Sequence, residues 1–403
     1  MYFCFSVTAN FEKMYLSFLK NLPQRHEGTK LGLFLKNLPQ RHKDTKLGQL
    51  LFTPLCLCAF VAKKKNLVLL CGTLFILLGF HKDDSPAKEN EMRNALDKGV
   101  HFLQVIQRED GAICDTINPL FDTWETILAA TSLYEIHRDT SDPVFKKAIT
   151  YLKLNEDDAG LICHNKKCRE AYCLETTAVY FLLLLKTGEK EVVRQRMDTI
   201  LALQRPAGDW EIGNPDVREF KNFPSVTAFV LTLLSDLKMP ALYQEAALDW
   251  LQKSQTPEGH WGYTWEYYDC PAYALWPVLK VLQDQETPVL VAARKKALSY
   301  ILSQQQEDGS WEFTGSGLQK RPSKALQTAL MLSALEAAGC REHEAAIEKG
   351  IDYLLANQQE NGAWNGGYFP IDNTRYEKKE YIFATARTLS VLNTFLLYQT
   401  TGK

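Results

Sequence analysis

The sequence predicts an all-α protein: a six-fold α/α toroid, or barrel, of about twelve helices in ~50-residue repeats, preceded by a non-globular N-terminal region. Three observations predict it. A glycine-centred motif recurs six times at nearly constant spacing. Each repeat carries one amphipathic and one almost wholly apolar helical segment. The first 85 residues share neither feature and differ in charge from the rest.

The N-terminal region comes first. Residues 1–85 hold 12 basic and 5 acidic residues, a net of +7, which leaves 34 basic and 43 acidic in residues 86–403, a net of −9. So acidic a body argues against nucleic acid as the main partner, because phosphate binding needs a basic face. Residues 18–32 (FLKNLPQRHEGTKLG) return at 34–48 with two differences, Glu27/Lys43 and Gly28/Asp44. Two copies of a basic, proline-containing segment cannot bury a core, so 1–62 reads as a duplicated extension with little fold of its own. Lys63-Lys64-Lys65 then precedes an apolar run of about 15 residues and a polar boundary at HKDDSPAKENE, the pattern of a signal peptide. The run is short for a membrane span, which needs roughly 20 residues. Residues 63–85 are therefore expected to be a signal peptide or an anchor, with translation starting near Val61. The protein would then be exported to the periplasm or cell envelope, or held at a membrane by this segment.

The toroid domain is residues 86–403. Its motif is a Gln at a helix end, Gly four residues on and Trp two further: Gln204-Gly208-Trp210, Gln255-Gly259-Trp261, Gln305-Gly309-Trp311 and Gln358-Gly362-Trp364. Two weaker copies come first, with Gln107-Gly111 and Glu156-Gly160. The glycine spacings are 49, 48, 51, 50 and 53. Before each motif lies an amphipathic segment, such as Leu96, Val100, Leu103 and Ile106. After it comes an apolar one: TILAATSLY, TTAVYFLLLL, VTAFVLTLL, AYALWPVLKVL, QTALMLSAL and ATARTLSVL in turn. A helix apolar on most sides is buried all round, so the first segment of each pair forms an outer ring and the second an inner ring. Gly suits the tight turn between them, and Gln and Trp are expected to tie that turn to the neighbouring pair. No polar terminal cap is evident, which favours closure over an open solenoid.

These Gln-x-x-x-Gly-x-Trp repeats, over residues 92–402, resemble those of squalene and oxidosqualene cyclases and of protein prenyltransferase β subunits. The resemblance implies a central, aromatic-lined cavity that holds an isoprenoid chain, and so a hydrophobic small molecule or lipid as partner. It does not carry over an intact catalytic signature. The prenyltransferase zinc pattern would need Asp where Tyr268 stands beside Cys270, and His near Phe383 or Ala384. No metal and no cofactor are expected. The cyclase Asp-x-Asp-Asp acid is absent, and Asn155-Glu156-Asp157-Asp158 falls on the turn after an outer helix, where it reads as solvated.

The inner-helix starts hold the remaining candidates. Asp122, Glu125 and Glu175 lie there, the two glutamates 14 and 15 residues past their repeat glycines. At one height on adjacent helices they would share a proton and act as a general acid; alternatively they complement helix dipoles, with Asp122 as a cap. Trp124, Tyr172, Tyr268, Tyr273, Trp276 and Tyr381 crowd the same end, either to face a ligand or carbocation or to fill the toroid. Arg321, Lys324 and Arg387 are candidates for a diphosphate or carboxylate at that rim. Of ten cysteines, Cys163 and Cys168 are the expected disulfide, with a Cys114–Cys173 bridge, free thiols or a metal left as alternatives. Two readings stay open: a terpenoid-cyclase-like enzyme using a carboxylic acid, and a non-catalytic scaffold of the same fold that binds a ligand or protein.

Overall fold

The computed structural model describes residues 86–401, apart from 116–120, 167–171, 214–222, 263–270, 314–321, 340–342 and 372–375, and the side chains of 368–380 and 400–401. The duplicated extension and the signal-peptide segment lie outside the described residues, in a separate unit that ends at Asp84. No helix among the described residues is long and apolar enough to cross a membrane.

Among the described residues, twelve helices alternate between two rings. The outer ring is α1 (Pro86–Val105), α3 (Pro143–Leu154), α5 (Lys190–Leu201), α7 (Ala241–Ser254), α9 (Pro288–Ser303) and α11 (Glu344–Ala356). The inner ring is α2 (Asp122–His137), α4 (Leu174–Lys186), α6 (Pro224–Asp236), α8 (Pro271–Gln283), α10 (Lys324–Ala337) and α12 (Ile382–Thr401). Each inner helix packs on the next, and α12 returns to α2, while α11 meets α1. The toroid is closed. The contrast in burial follows the sequence pattern: α6 buries eleven consecutive residues from Pro224 to Leu234, whereas α7 buries Ala247 and Leu251. One feature departs from the all-α expectation. The last connection carries an antiparallel hairpin, β1 (Gly367–Ile371) with β2 (Tyr376–Glu380), in register Gly367↔Glu380.

The motif works through both residues, and Trp reaches the neighbouring pair by packing: the Trp311 ring lies against Gly350 of the next outer helix and the Trp364 ring against Gly99 across the seam. The Trp N–H groups, in contrast, hold their own repeat together. The ring Nε1 donates to the outer helix just before it, from Trp210 to Ile200 O, Trp261 to Leu251 O, Trp311 to Ile301 O and Trp364 to Leu354 O, at 2.7–2.8 Å. The backbone N–H reaches an inner-helix threonine, as Trp311 N does with Thr328 Oγ1. Gln makes the hydrogen-bonded bridge between repeats. Gln305 Nε2 donates to Gly309 O at 3.0 Å and to Ala346 O of the next outer helix at 2.7 Å. Gln358 does the same with Gly362 O and, across the seam, with Ala95 O at 2.8 Å. The seam therefore uses the same bond as the interior of the ring.

The glycine is dictated by the same contact. Gly309 has φ +86°, and a Cβ there would stand 2.3 Å from Lys349 O of the next outer helix. In repeat two, Glu156 replaces the glutamine; Asp157 and Asp158 are exposed as expected of a solvated turn, but Glu156 is not. Arg196 of α5 holds both carboxylate oxygens at 3.0 and 2.9 Å and reaches Gly160 O at 3.3 Å, while Tyr180 OH donates to the same carboxylate at 2.6 Å.

Candidate functional site

The inner helices enclose a cavity of about 370 Å³ lined by residues of all six. It runs from about the middle of these helices toward their C-terminal ends, away from the N-terminal starts where the sequence placed the acids. The threonines that receive the motif N–H groups set a common register: Thr126, Thr177, Thr227, Thr328 and Thr385. Two residues past it stand Leu128, Val179, Phe229 and Arg387, all buried, with Trp276 beside them. Nine residues past it stand Glu135, Lys186 and Thr394. At 1.5 Å per residue this separates a floor from a mouth by about 10 Å. Lys186, Lys280, Gln283 and Glu336 are exposed in this upper part, so the cavity opens at the C-terminal ends.

Below the floor the toroid is filled. Trp124 meets Phe383 edge-on at 6.2 Å, and Phe383 meets Tyr273 at 6.0 Å. These rings are at most 5% exposed, so Trp124 and Tyr273 serve as packing beneath the cavity. Trp276 is the expected ligand-facing aromatic that does line it, with Phe229 edge-on at 5.3 Å and the Arg387 guanidinium over its ring at 4.1 Å. Tyr172 packs beside Gly213, and the Tyr381 N–H donates to Asp115 Oδ2 at 3.2 Å. Tyr268, Arg321 and Cys168 lie outside the described residues. Of the described members of the expected basic rim, Lys324 sits at the start of α10 near Asp308 (3.7 Å) and Glu312 (3.4 Å), and Arg387 lines the cavity.

The two glutamates of the expected acid pair sit at different register positions and take different hydrogen-bond donors. Glu125 is one residue before its register threonine and Glu175 two before its own, which turns them about 100° relative to each other on their helices. Glu125 Oε2 accepts from Asp115 N of its own repeat at 2.8 Å, and Glu175 Oε1 accepts from Ser225 Oγ of α6 at 2.6 Å. Gln327, which accepts from Phe313 N at 2.8 Å, is the true counterpart of Glu125. Counting from the glycine hid the shift, because the connections differ in length. Asp122 is not the cap; Phe121 is, and Asp122 Oδ1 accepts from Thr123 N and Lys166 N, both at 3.0 Å. None of the three carboxylates lines this cavity.

The carboxylates that do are Glu135 and Glu336, which sequence reasoning passed over as polar ends of apolar helices. Burial pushes Glu135 up, but Lys186, Arg387 and the Ser390 hydroxyl outweigh it and hold the carboxyl below its usual range. Lys186 Nζ is 2.6 Å from its Oε1, and Ser390 Oγ donates to Oε2 at 2.6 Å. Glu336 is raised, because burial outweighs the pull of Arg387. Lys280 is lowered by burial and by the like charge of Lys186. A signal for these residues was present in hindsight: a charge eight or nine residues past four of the five register threonines (Glu135, Lys186, Asp236 and Glu336) in otherwise apolar segments.

The cysteines lie elsewhere. Cys163 is disulfide-bonded. Cys114 and Cys173 are free, which removes the alternative bridge between them. Burial pushes their thiols up to about 11 and about 12, the opposite of an activated thiolate. Among the described residues no cluster of His, Cys, Asp and Glu could hold a metal ion.

Comparisons with known proteins agree with this architecture. The squalene–hopene cyclase C-terminal domain matches residues 215–386. The squalene–hopene cyclase of Bradyrhizobium diazoefficiens is 26% identical over 66% of this chain and 47% of its own length. The lanosterol synthase of Pneumocystis carinii is 26% identical over 60% of this chain and 41% of its own. A variant of the type II terpene cyclase MstE from Scytonema, in complex with its substrate geranylgeranyl dihydroxybenzoate, superposes with TM-score 0.61 at 19% identity over 77% of this chain and 99% of that one. The chain spans about half the length of the first of these curated relatives. Motif, closed double ring and matched residues together make this body an α/α toroid with the fold of the type II terpene cyclase MstE, similar in sequence to squalene–hopene cyclase.

Proposed function

We propose that the protein binds a polyprenoid or related apolar ligand in its central cavity. The observation that carries this reading is the cavity itself: about 370 Å³, enclosed by six helices, with Leu128, Val179, Phe229 and Trp276 at its floor. That volume lies within the usual range for small-molecule sites. The similar MstE structure, whose complex holds a geranylgeranyl compound, supports an isoprenoid as the class. The apolar run after Lys65 supports export as the setting. The test is native mass spectrometry of the purified full chain. A copurifying isoprenoid, displaced when Phe229→Arg fills the floor, is the expected result. A cavity that holds only water, and takes up no added isoprenoid, would refute the reading.

A second reading, catalysis, is favoured by one observation. Glu336 lines the cavity with its carboxyl held above the usual range by burial, the direction a general acid needs. The expected carboxylates Glu125, Glu175 and Asp122 do not supply one there. Incubation with an all-trans polyprenoid should then give a cyclised isomer that Glu336→Gln does not form. Absence of any product from the wild type leaves the binding scaffold.

A further inference from the structure

Among the described residues three cations line the cavity, and they differ in what they can do. Arg387 lies over the face of Trp276 and, as a guanidinium, never gives up its proton. Lys186 is held by Glu135 at 2.6 Å. Lys280 has neither a hydrogen bond nor an ion pair among the described residues. It stands four residues past Trp276 on α8, so the two share one helix face, ~6 Å apart along the axis. Both line the cavity. The amine therefore sits on the wall one turn above the aromatic floor, exposed at the mouth where a solute enters.

A lysine in the last turn of a helix ordinarily serves the helix dipole, which favours its charge. Here the surroundings work the other way. Lys186 of α4 repels the ammonium, while Asp236 of α6, Glu135 of α2 and Glu336 of α10 favour it without pairing with it. With the crowding of the helix ends, the balance holds Lys280 below the usual lysine range. An amine lowered by an apolar setting and a like charge is how lysine becomes reactive toward carbonyl compounds.

We propose that Lys280 is a nucleophile that captures an apolar aldehyde as a Schiff base, with the aldehyde's chain packed on Trp276, Phe229 and Val179. The Lys280 nitrogen bonds to the carbonyl carbon, the carbonyl π pair goes to oxygen, and the proton lost by nitrogen completes the hydroxyl. Glu336, which lines the same cavity with its carboxyl raised, lends the proton with which that hydroxyl leaves as water. It recovers the proton from the iminium nitrogen. Amine and aldehyde thus give imine and one water, with no redox change and no further reactant. The inference rests on the reading that the cavity holds an apolar ligand, and the experiment keeps the two apart.

The full chain is incubated near neutral pH with decanal or with propanal in the presence of cyanoborohydride, and the reduced adducts are located by peptide mass spectrometry. Decanal should label Lys280 at least ~10-fold faster than the exposed Lys190 and Lys295. Propanal, too short to use the floor, should show much less preference. The rate at Lys280 should also level off at a lower pH than the rate at Lys295. Lys280→Arg, which keeps the charge but forms no imine, should lose the fast label and keep the slow ones. Glu336→Gln should slow labelling at Lys280 alone. Equal preference for Lys280 with both aldehydes would keep the nucleophile and overturn the packing of the chain. Labelling of Lys280 no faster than Lys190 and Lys295 with either aldehyde overturns the proposal. In that event calorimetric binding of decanol, lost in Phe229→Arg, would leave the apolar-ligand reading standing.

Discussion

At the scale of single residues, a repeat glycine and a cavity glutamate make opposite demands. Gly309 combines φ +86° with a Cβ position 2.3 Å from a carbonyl oxygen. Both the left-handed strain and the clash oppose any side chain. Gly309→Ala is expected to cost more than ~2 kcal/mol in a urea titration, while Gly188→Ala, where nothing lies within 4 Å, should cost only the strain. Glu336 argues through protons. Its pKa is raised in the fold, so between the unfolded value and the folded one the native state binds more protons than the unfolded chain. Its contribution to stability therefore falls as pH rises through that window. Glu336→Gln should flatten this decline and raise the melting temperature near neutral pH, with little change at pH 3. Glu135, held low by Lys186, has the reverse sign: its contribution is present above the unfolded pKa and fades as pH falls.

At the scale of elements, the informative place is the turn of repeat two. Elsewhere one neutral glutamine ties turn to next helix. Here Glu156 and Arg196 do so as a half-buried ion pair with both carboxylate oxygens engaged. Removing one partner strands the other, so Arg196→Ala is expected to destabilise by ~2 kcal/mol or more. Combined with Glu156→Gln, which restores the glutamine of the other repeats, most of that loss should be recovered. A double-mutant cycle in urea should show coupling of at least ~1 kcal/mol; additive losses would mean that the pair carries no special tie. The Glu-for-Gln exchange was visible in the sequence as a weak motif copy. Its answering arginine was not, because Arg196 is 40 residues away and only the packing of α5 on α3's turn brings it there.

At the scale of the whole molecule, closure makes the ends interdependent. α12 packs on both α1 and α2, and the Gln358–Ala95 bond spans 263 residues. Truncation after residue 339 would expose the apolar faces of α2 and α10 together. The expected outcome is loss of the cooperative thermal transition followed by circular dichroism, not a modest drop in midpoint. A truncated chain that melts as sharply as the whole would show that the ring behaves as an open array.

What the sequence by itself determined is the periodic part of this protein. The ~50-residue period, the two kinds of helix and the closed ring follow from local patterns repeated six times, and a signal repeated six times survives imperfect copies. It also showed that the usual cyclase and zinc signatures are missing. Tertiary structure decided the site. Glu125 and Glu175 looked equivalent when counted from their glycines, yet loops of unequal length set them one register position apart, and each has its own hydrogen-bond donor. Arg387 looked like one of several rim cations; the ring set it on the cavity floor against Trp276, while Lys324 stayed beside Asp308 and Glu312. A period specifies which residues are equivalent along the chain. Which of them face one another depends on the rotation of each helix about its axis, and at 100° per residue one added loop residue is enough to turn a lining side chain into a packing one.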